Sequence, residues 1–457
     1  MTVDTPAYKS TKIVIVGGGG TFGSSTAYHL VKQGYTPSNI TLLDVYPLPS
    51  AQSAGNDLNK IFGVMSRTDI DKQLSLESLK GWTEDETFKP FYHNTGELDI
   101  SRSERGIANL REILAEIDAP GSELEGYMKW VETEDEILAL VPTFTRDQIK
   151  GWKGIFDTKG GWLSAARAIN SIGEYLKAKG VNFAWGGAGT FKQPVFDDDK
   201  TTCIGVETTD GTVYKADKVV LAAGAWAPTL VDLEGQCCSK AWVYAHMQLT
   251  PEEVAQYKGI PVVYDDEFGF IFEPNENGVI KICDEFPGFT RFKEHQPFGA
   301  SSPQRISVPR SHAKHPTDTI PEASDRTIAK AVAEFLPQFK DKKLINQALC
   351  WVTDTADRNL LICEHPRWQN FIIASGDCGQ SFKLLPNIGI HIVELLENRL
   401  PDHLEKAWKW RPGTGDTLSS FRGDPATDLA DHKGWLHDDE RSTLNDFADI
   451  RRSLVTA

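Results

Sequence analysis

The clearest chemistry in this 457-residue sequence lies near its start, where three glycines and a later aspartate hold a fixed spacing. Gly18-x-Gly20-x-x-Gly23 encloses Thr21 and Phe22 and has the spacing of a dinucleotide cradle. In such a cradle the first glycine permits the tight turn, the second lets backbone N–H groups approach a pyrophosphate, and the third allows close helix–strand packing. The N-terminus of the following helix adds a partial positive charge. Asp44, 21 residues after Gly23, stands where a carboxylate accepts hydrogen bonds from a ribose diol. An acid there favours a free 2′-hydroxyl over a 2′-phosphate, which points to FAD or NAD rather than NADP.

These residues need a strand, a helix and a second strand to position them. The β-branched run at 12–16 predicts the first strand, residues 24–33 the helix, and 40–43 the second strand, together a β-α-β unit. The same pattern returns later. A helix over 164–179, stopped by Gly180, is followed by strands at 181–185, 202–208 and 213–215, the last two joined through the hairpin signal Asp210-Gly211. An apolar strand at 219–223 runs through Ala223 into Gly224-Ala225-Trp226, small residues that let backbone approach a bound cofactor. A strand at 371–374, a loop at 376–380 and a helix at 387–398 complete the set. The intervening stretches read differently, with charged and aromatic residues at helical spacing over 71–150 and a strand at 96–100. An α+β layer over 240–345 contains a Pro/His/Ser-rich loop at 301–322.

The fold class expected is therefore α/β, with two interleaved domains. Residues 1–70, 151–236 and 346–411 form a Rossmann-type nucleotide domain; 71–150 and 237–345 form an α+β substrate domain; 412–457 form an extension that wraps the surface or moves freely. Interruption of this kind favours FAD over NAD, whose domains are more continuous.

Composition narrows the partners. With 48 Lys and Arg against 64 Asp and Glu, the net charge of −16 repels phosphate backbones and anionic lipid, so neither nucleic acid nor membrane is expected. No apolar run approaches the roughly 20 residues that cross a bilayer. The chain opens without a basic and apolar leader and ends Ser453-Leu454-Val455-Thr456-Ala457, not a peroxisomal Ser-Lys-Leu, so a cytoplasmic protein is expected. Seven cysteines without a paired framework suit a reducing interior. There is no zinc spacing, Gly-x-Ser-x-Gly elbow or Walker A motif, and His312 and His315 sit in a Pro/Ser loop without partner ligands, so no metal is expected.

Four stretches carry a family resemblance across nearly the whole chain: VGGGGTFGSSTAYHL (16–30), ADKVVLAAGAW (216–226), CWVTDTADRNLLI (350–362) and ASGDCGQSFKLLPNIG (374–389). The sequence resembles the monomeric sarcosine oxidase and amadoriase branch of the glutathione-reductase-like flavoproteins. The stretch SAGNDLNKIFG (53–63) is similar to the fungal fructosyl amino acid and fructosyl peptide oxidases. The resemblance implies a glutathione-reductase-like FAD domain and assigns roles that the residues alone do not.

Cys350, alone one of seven cysteines and an unremarked apolar filler, falls at the cysteine that forms a thioether to the flavin 8α-methyl. Lys281, alternating against Ile280 and Ile282 in a strand, falls at a lysine above flavin N5 that helps activate dioxygen; a placed cation stabilises the superoxide formed. Glu285 stands where sarcosine oxidases carry histidine and amadoriases a carboxylate, which suits a cationic secondary amine. Lys383 matches a lysine for the substrate carboxylate, and Arg411 is a candidate second anchor, because a guanidinium grips a carboxylate with two bonds. Ser53, Asn56 and Lys60 belong to a flavin-facing segment, Lys60 beside the flavin and Asn56 near the oxygen access. The loop with Asp377 and Gly379, leading to Phe382, precedes a helix whose N-terminus can face the flavin pyrimidine ring.

The resemblance implies an FAD oxidase of fructosyl amino acids or short fructosyl peptides, acting as a monomer with dioxygen as acceptor. Hydride moves from sugar C1 to flavin N5, the imine hydrolyses to glucosone and free amino acid or peptide, and hydrogen peroxide forms. Three rivals remain: a sarcosine or other N-methyl amino acid oxidase, a flavin dehydrogenase using a non-oxygen acceptor, and a flavoprotein that binds without catalysis.

Overall fold

The computed structural model describes residues 7–65, 68–117, 122–265, 267–415, 417–418 and 425–436. The β-branched run forms strand Ile13–Val16, buried at every position, at the centre of a six-stranded sheet. Ile40–Leu43 and Lys218–Leu221 flank it in parallel register, Asn182–Ala184 and Phe371–Ser375 extend it in parallel, and Leu361–Glu364 closes one edge antiparallel. Parallel strands covered on both faces read as unbroken apolar runs, which is why these were legible. Helices Thr21–Lys32, Ala165–Lys179 and Ile388–Leu396 pack over one face. Gly180 ends the second of these in the left-handed conformation, φ 84°.

A second, nine-stranded sheet carries the other half of the chain. Its main path runs Leu344–Thr355, Cys237–Gln248, Val279–Thr290, Gly269–Ile271, Val262–Asp265, Glu97–Ser101, Lys153–Asp157 and Met128–Val131. Lys153–Asp157 and Leu344–Thr355 therefore hydrogen-bond into this sheet, although the sequence division puts most of their residues in the cofactor domain. Leu344–Thr355 is the longer link: it brings Cys350 opposite Trp242 and then returns the chain to the six-stranded sheet.

The loop expected at 301–322 includes strand Gln304–Ser307, paired as a hairpin with Phe292–His295. Two described parts of the C-terminal stretch pack against the substrate domain. Thr427–Asp428 pairs parallel with Phe289–Thr290, and Leu429 and Trp435 are buried in the substrate-domain core. No helix among the described residues is long and apolar enough to cross a membrane.

Candidate active site

A cavity of about 520 Å³ runs between the two sheets, from the glycine turn to the strand that holds Lys281. At its nucleotide end the tight turn falls on Gly17, φ +82°, where a Cβ would come within 2.4 Å of the Ala222 carbonyl. This corrects the sequence assignment of the turn to Gly18, which is instead pressed against Leu42, 2.5 Å from a would-be Cβ. Gly23 has its expected part: a Cβ there would lie 2.4 Å from the Gly17 carbonyl, so only glycine lets the helix approach the strand. Gly20 is more open and lines the cavity with Thr21 and Phe22, at the head of a helix whose first amides have no intrahelical partner.

Asp44, also on the cavity wall, accepts from Gly19 N at 3.0 Å and Ser50 Oγ at 2.6 Å. Burial raises its carboxyl above the ordinary value, against those hydrogen bonds. Ala223, Gly224 and Trp226 line the same end, Gly224 with φ +51°. The Trp226 Nε1 is buried with no partner among the described residues, a donor turned to no protein acceptor. A Cβ-free turn, a buried acid and an orphaned donor on one wall fit a dinucleotide.

Deeper in the cavity two lysines converge on one carboxylate. Lys281, 3% exposed on strand Val279–Thr290, donates to Asp57 Oδ2 at 2.6 Å and to the Asn59 carbonyl at 3.1 Å. Lys60, at the head of the short strand Lys60–Phe62, donates to the same Oδ2 at 2.7 Å. Burial works against the Asp57 charge, but Lys281 and Lys60 outweigh it and hold the carboxyl well below the usual range. Burial likewise opposes the Lys60 charge, and Asp57 outweighs it, so this ammonium holds its proton more tightly than an ordinary lysine. The Lys281 ammonium also lies 5.3 Å from the centroid of Tyr244 and 5.7 Å from that of Phe272. Half-buried Cys350 completes the group, its Sγ 3.6 Å from Lys60 Nζ.

The far end is walled by Met65, Glu97, Tyr264, Phe270 and Lys383. The chain after the 376–380 loop makes a single helical turn, Ser381–Leu384, before helix Ile388–Leu396, and Lys383 sits on that turn. Its Nζ donates to the Gly63 carbonyl at 3.1 Å, and its own carbonyl accepts from Ser78 Oγ and from Trp82 Nε1, the latter at 2.7 Å. Burial lowers the Lys383 pKa; Asp71, Glu97 and Asp157 oppose that shift. Asp377 and Gly379 line the cavity from that loop and Phe382 from the helical turn, and Ser53 lines it beside Gly20.

The remaining expected residues lie elsewhere. Arg411 is not on the cavity wall: its guanidinium is spent on Asp357, with Nε–Oδ2 at 2.9 Å, and on the Asn359 carbonyl at 2.7 Å. Asn56 is buried and lines a separate space of about 30 Å³ with Ser311, His312 and Cys350. Glu285 lies on strand Val279–Thr290, but its side chain falls outside the described residues. Sequence reasoning missed Asp57 and Glu97. Asp57 stood inside the quoted 53–63 stretch, yet no local spacing ties it to Lys281; Glu97 gave no signal beyond a carboxylate in a strand.

The family model described as FAD dependent oxidoreductase matches residues 12–395. The fructosyl peptide oxidase from E. terrenum superposes with a TM-score of 0.93 at 66% identity, covering 95% of this chain and 99% of that one. The deglycating enzyme fructosamine oxidase from Aspergillus fumigatus, Amadoriase II, gives a TM-score of 0.84 at 33% identity, over 95% of this chain and 98% of that one. L-saccharopine oxidase from Schizosaccharomyces pombe is 29% identical over 440 residues, 93% of this chain and 98% of its own.

Proposed function

This chain belongs to the FAD-dependent oxidoreductase family, and we propose that it oxidises fructosyl amino acids or short fructosyl peptides at the C–N bond, with dioxygen as acceptor. The observation that carries this reading is the 66% identity to a fructosyl peptide oxidase over 95% of the chain. Bound FAD supplies the redox chemistry, accepting a hydride equivalent from the amine and giving two electrons to oxygen. The imine product then takes up water and separates into glucosone and free amino acid or peptide.

Each side chain has a part that follows from its surroundings. Gly17, Gly20 and Gly23 clear space for the nucleotide, and Asp44 offers a carboxylate to a ribose diol. Lys281 and Lys60 share one counter-ion, so the group keeps a net positive charge in a water-poor wall, fixed before any negative oxygen species forms there. Cys350 serves as the covalent anchor of the flavin in this reading, which is supported by its position on the cavity wall with its Sγ 3.6 Å from Lys60 Nζ. Lys383, shielded from water, holds the substrate carboxylate. Glu285, two residues past Cys283 on the Lys281 strand, serves the amine.

Peroxide release tests the reading. The purified FAD-loaded protein is assayed with fructosyl-valine, fructosyl-valyl-histidine, sarcosine and saccharopine at equal concentrations. Turnover of the fructosyl compounds, with glucosone as co-product, supports the assignment. Turnover of sarcosine or saccharopine alone overturns it.

A further inference from the structure

The turn that carries Lys383 is too short to hold itself. Ser381–Leu384 is one helical turn, and the residue three past Lys383 is Pro386, which has no N–H to donate. The next amide, Asn387 N, goes to the Leu384 carbonyl at 3.0 Å. The Lys383 carbonyl thus finds no amide at the third or fourth position after it. Two side chains of helix Asp69–Glu84 fill the place. Trp82 Nε1 donates to it at 2.7 Å and Ser78 Oγ donates beside it, and both residues are fully buried. A carbonyl oxygen has two lone pairs, and here each has a donor.

The same helix is fastened to the chain beyond the turn. Asn387 Nδ2 donates to the Leu74 carbonyl at 3.0 Å, and a Cβ on Gly81 would come within 2.3 Å of Pro386 Cβ, so the two segments leave no gap. Helix Thr21–Lys32, which starts at the glycine turn, holds the carbonyls that follow. Ser25 Oγ donates to that of Leu385 at 2.7 Å and His29 Nε2 to that of Pro386 at 2.6 Å. The Lys383 ammonium, at the other end of its side chain, donates to the Gly63 carbonyl at 3.1 Å.

We propose that Trp82 and Ser78 are positioning residues for the substrate carboxylate: by filling the carbonyl that Pro386 leaves without a donor, they fix the backbone from which the Lys383 ammonium reaches the cavity. Neither residue lines the cavity, so each acts through Lys383 and not on the substrate. An ammonium already held in place meets a carboxylate without first giving up its own freedom. Loosening its base weakens binding and leaves the chemistry at the flavin unchanged. The inference rests on the reading of Lys383 as the carboxylate anchor.

The test is a double-mutant cycle read in KM and kcat, in the full-length, FAD-loaded protein. The substrates are fructosyl-valine and its carboxylate-free counterpart, fructosyl-isobutylamine. Trp82→Phe removes one donor and keeps an aromatic ring. Ser78→Ala removes the other with little change in volume, and decides the matter alone if Trp82→Phe does not fold. Each is expected to raise KM for fructosyl-valine by about 2- to 10-fold, the share of one net hydrogen bond, while kcat and KM for fructosyl-isobutylamine hold. In a Lys383→Met background, where the anchor is gone, neither should raise KM further. A general loosening of the fold would lower kcat, act on both substrates and persist in that background; this result overturns the proposal. If Lys383→Met raises KM for fructosyl-valine and the two variants do not, this inference falls alone. If Lys383→Met leaves that KM unchanged, the carboxylate-anchor reading falls and takes this inference with it.

Discussion

Lys281 and Lys60 meet on a single oxygen: both ammonium groups donate to Asp57 Oδ2, at 2.6 and 2.7 Å. Two cations held by one anion make a wall with one net positive charge, and the buried aspartate fixes where that charge lies. Asp57→Asn keeps the shape and removes the anion, leaving two ammonium groups in repulsion. Breaking a buried pair of this kind costs about 3–5 kcal/mol, to be read as a lower denaturant midpoint. The pH dependence has a definite sign. The folded-state Asp57 pKa is depressed, so its stabilisation is present above the ordinary carboxylate pKa and is lost as pH falls through the folded value. The acid limb of the stability profile therefore flattens in Asp57→Asn; an unchanged limb would place the aspartate's role elsewhere.

Lys281→Met removes the buried cation and keeps most of the side-chain volume. Loss of one preorganised charge slows a reaction by about 10²- to 10³-fold, and here the loss falls on reoxidation by oxygen. Stopped-flow mixing of the reduced variant with air-saturated buffer reads that rate directly. Reduction of an artificial dye by the same variant should stay within a few fold of the wild type. Equal loss in both assays would assign Lys281 to substrate oxidation instead.

Much of this arrangement was legible from sequence, and the exceptions share a cause. The strand Ile13–Val16, its glycine turn and Asp44 are contiguous, so local patterning reports them. The turn itself was placed one residue late, because spacing does not show which glycine takes φ +82°. Asp57 was missed as a partner of Lys281 because 224 residues separate them, and only the crossing of the two sheets brings them together. Arg411 was read from its chemistry alone, and its guanidinium had a nearer acceptor in Asp357, which spacing cannot reveal. The domain boundary drawn at residue 346 falls inside strand Leu344–Thr355 of the nine-stranded sheet, because no local signal marks where the chain passes from one sheet to the other.

Cys350→Ser tests attachment of the flavin. Denatured wild-type protein is expected to retain its yellow colour and to gain the mass of FAD in intact mass spectrometry. The variant should release FAD on denaturation and show the mass of the chain alone. Free FAD from the denatured wild type would rule out the thioether.

Lys383 bears on substrate affinity. Its ammonium is destabilised chiefly by burial, so it loses its proton at a lower pH than an ordinary lysine. Carboxylate binding requires the charged form, and KM for fructosyl-valine should therefore rise on the alkaline side while kcat holds. Lys383→Met removes a charge-assisted hydrogen bond worth about 1.5–3 kcal/mol, raising KM by roughly 10- to 150-fold. A fall in kcat with KM unchanged would contradict a carboxylate-binding role.

The central claim is tested most directly by anaerobic bleaching of the flavin absorbance, with fructosyl-valine and sarcosine in parallel, followed by air. Rapid bleaching by fructosyl-valine alone, and return of the oxidised spectrum with stoichiometric peroxide, is the expected result. Bleaching by sarcosine alone, or by neither compound, would contradict it.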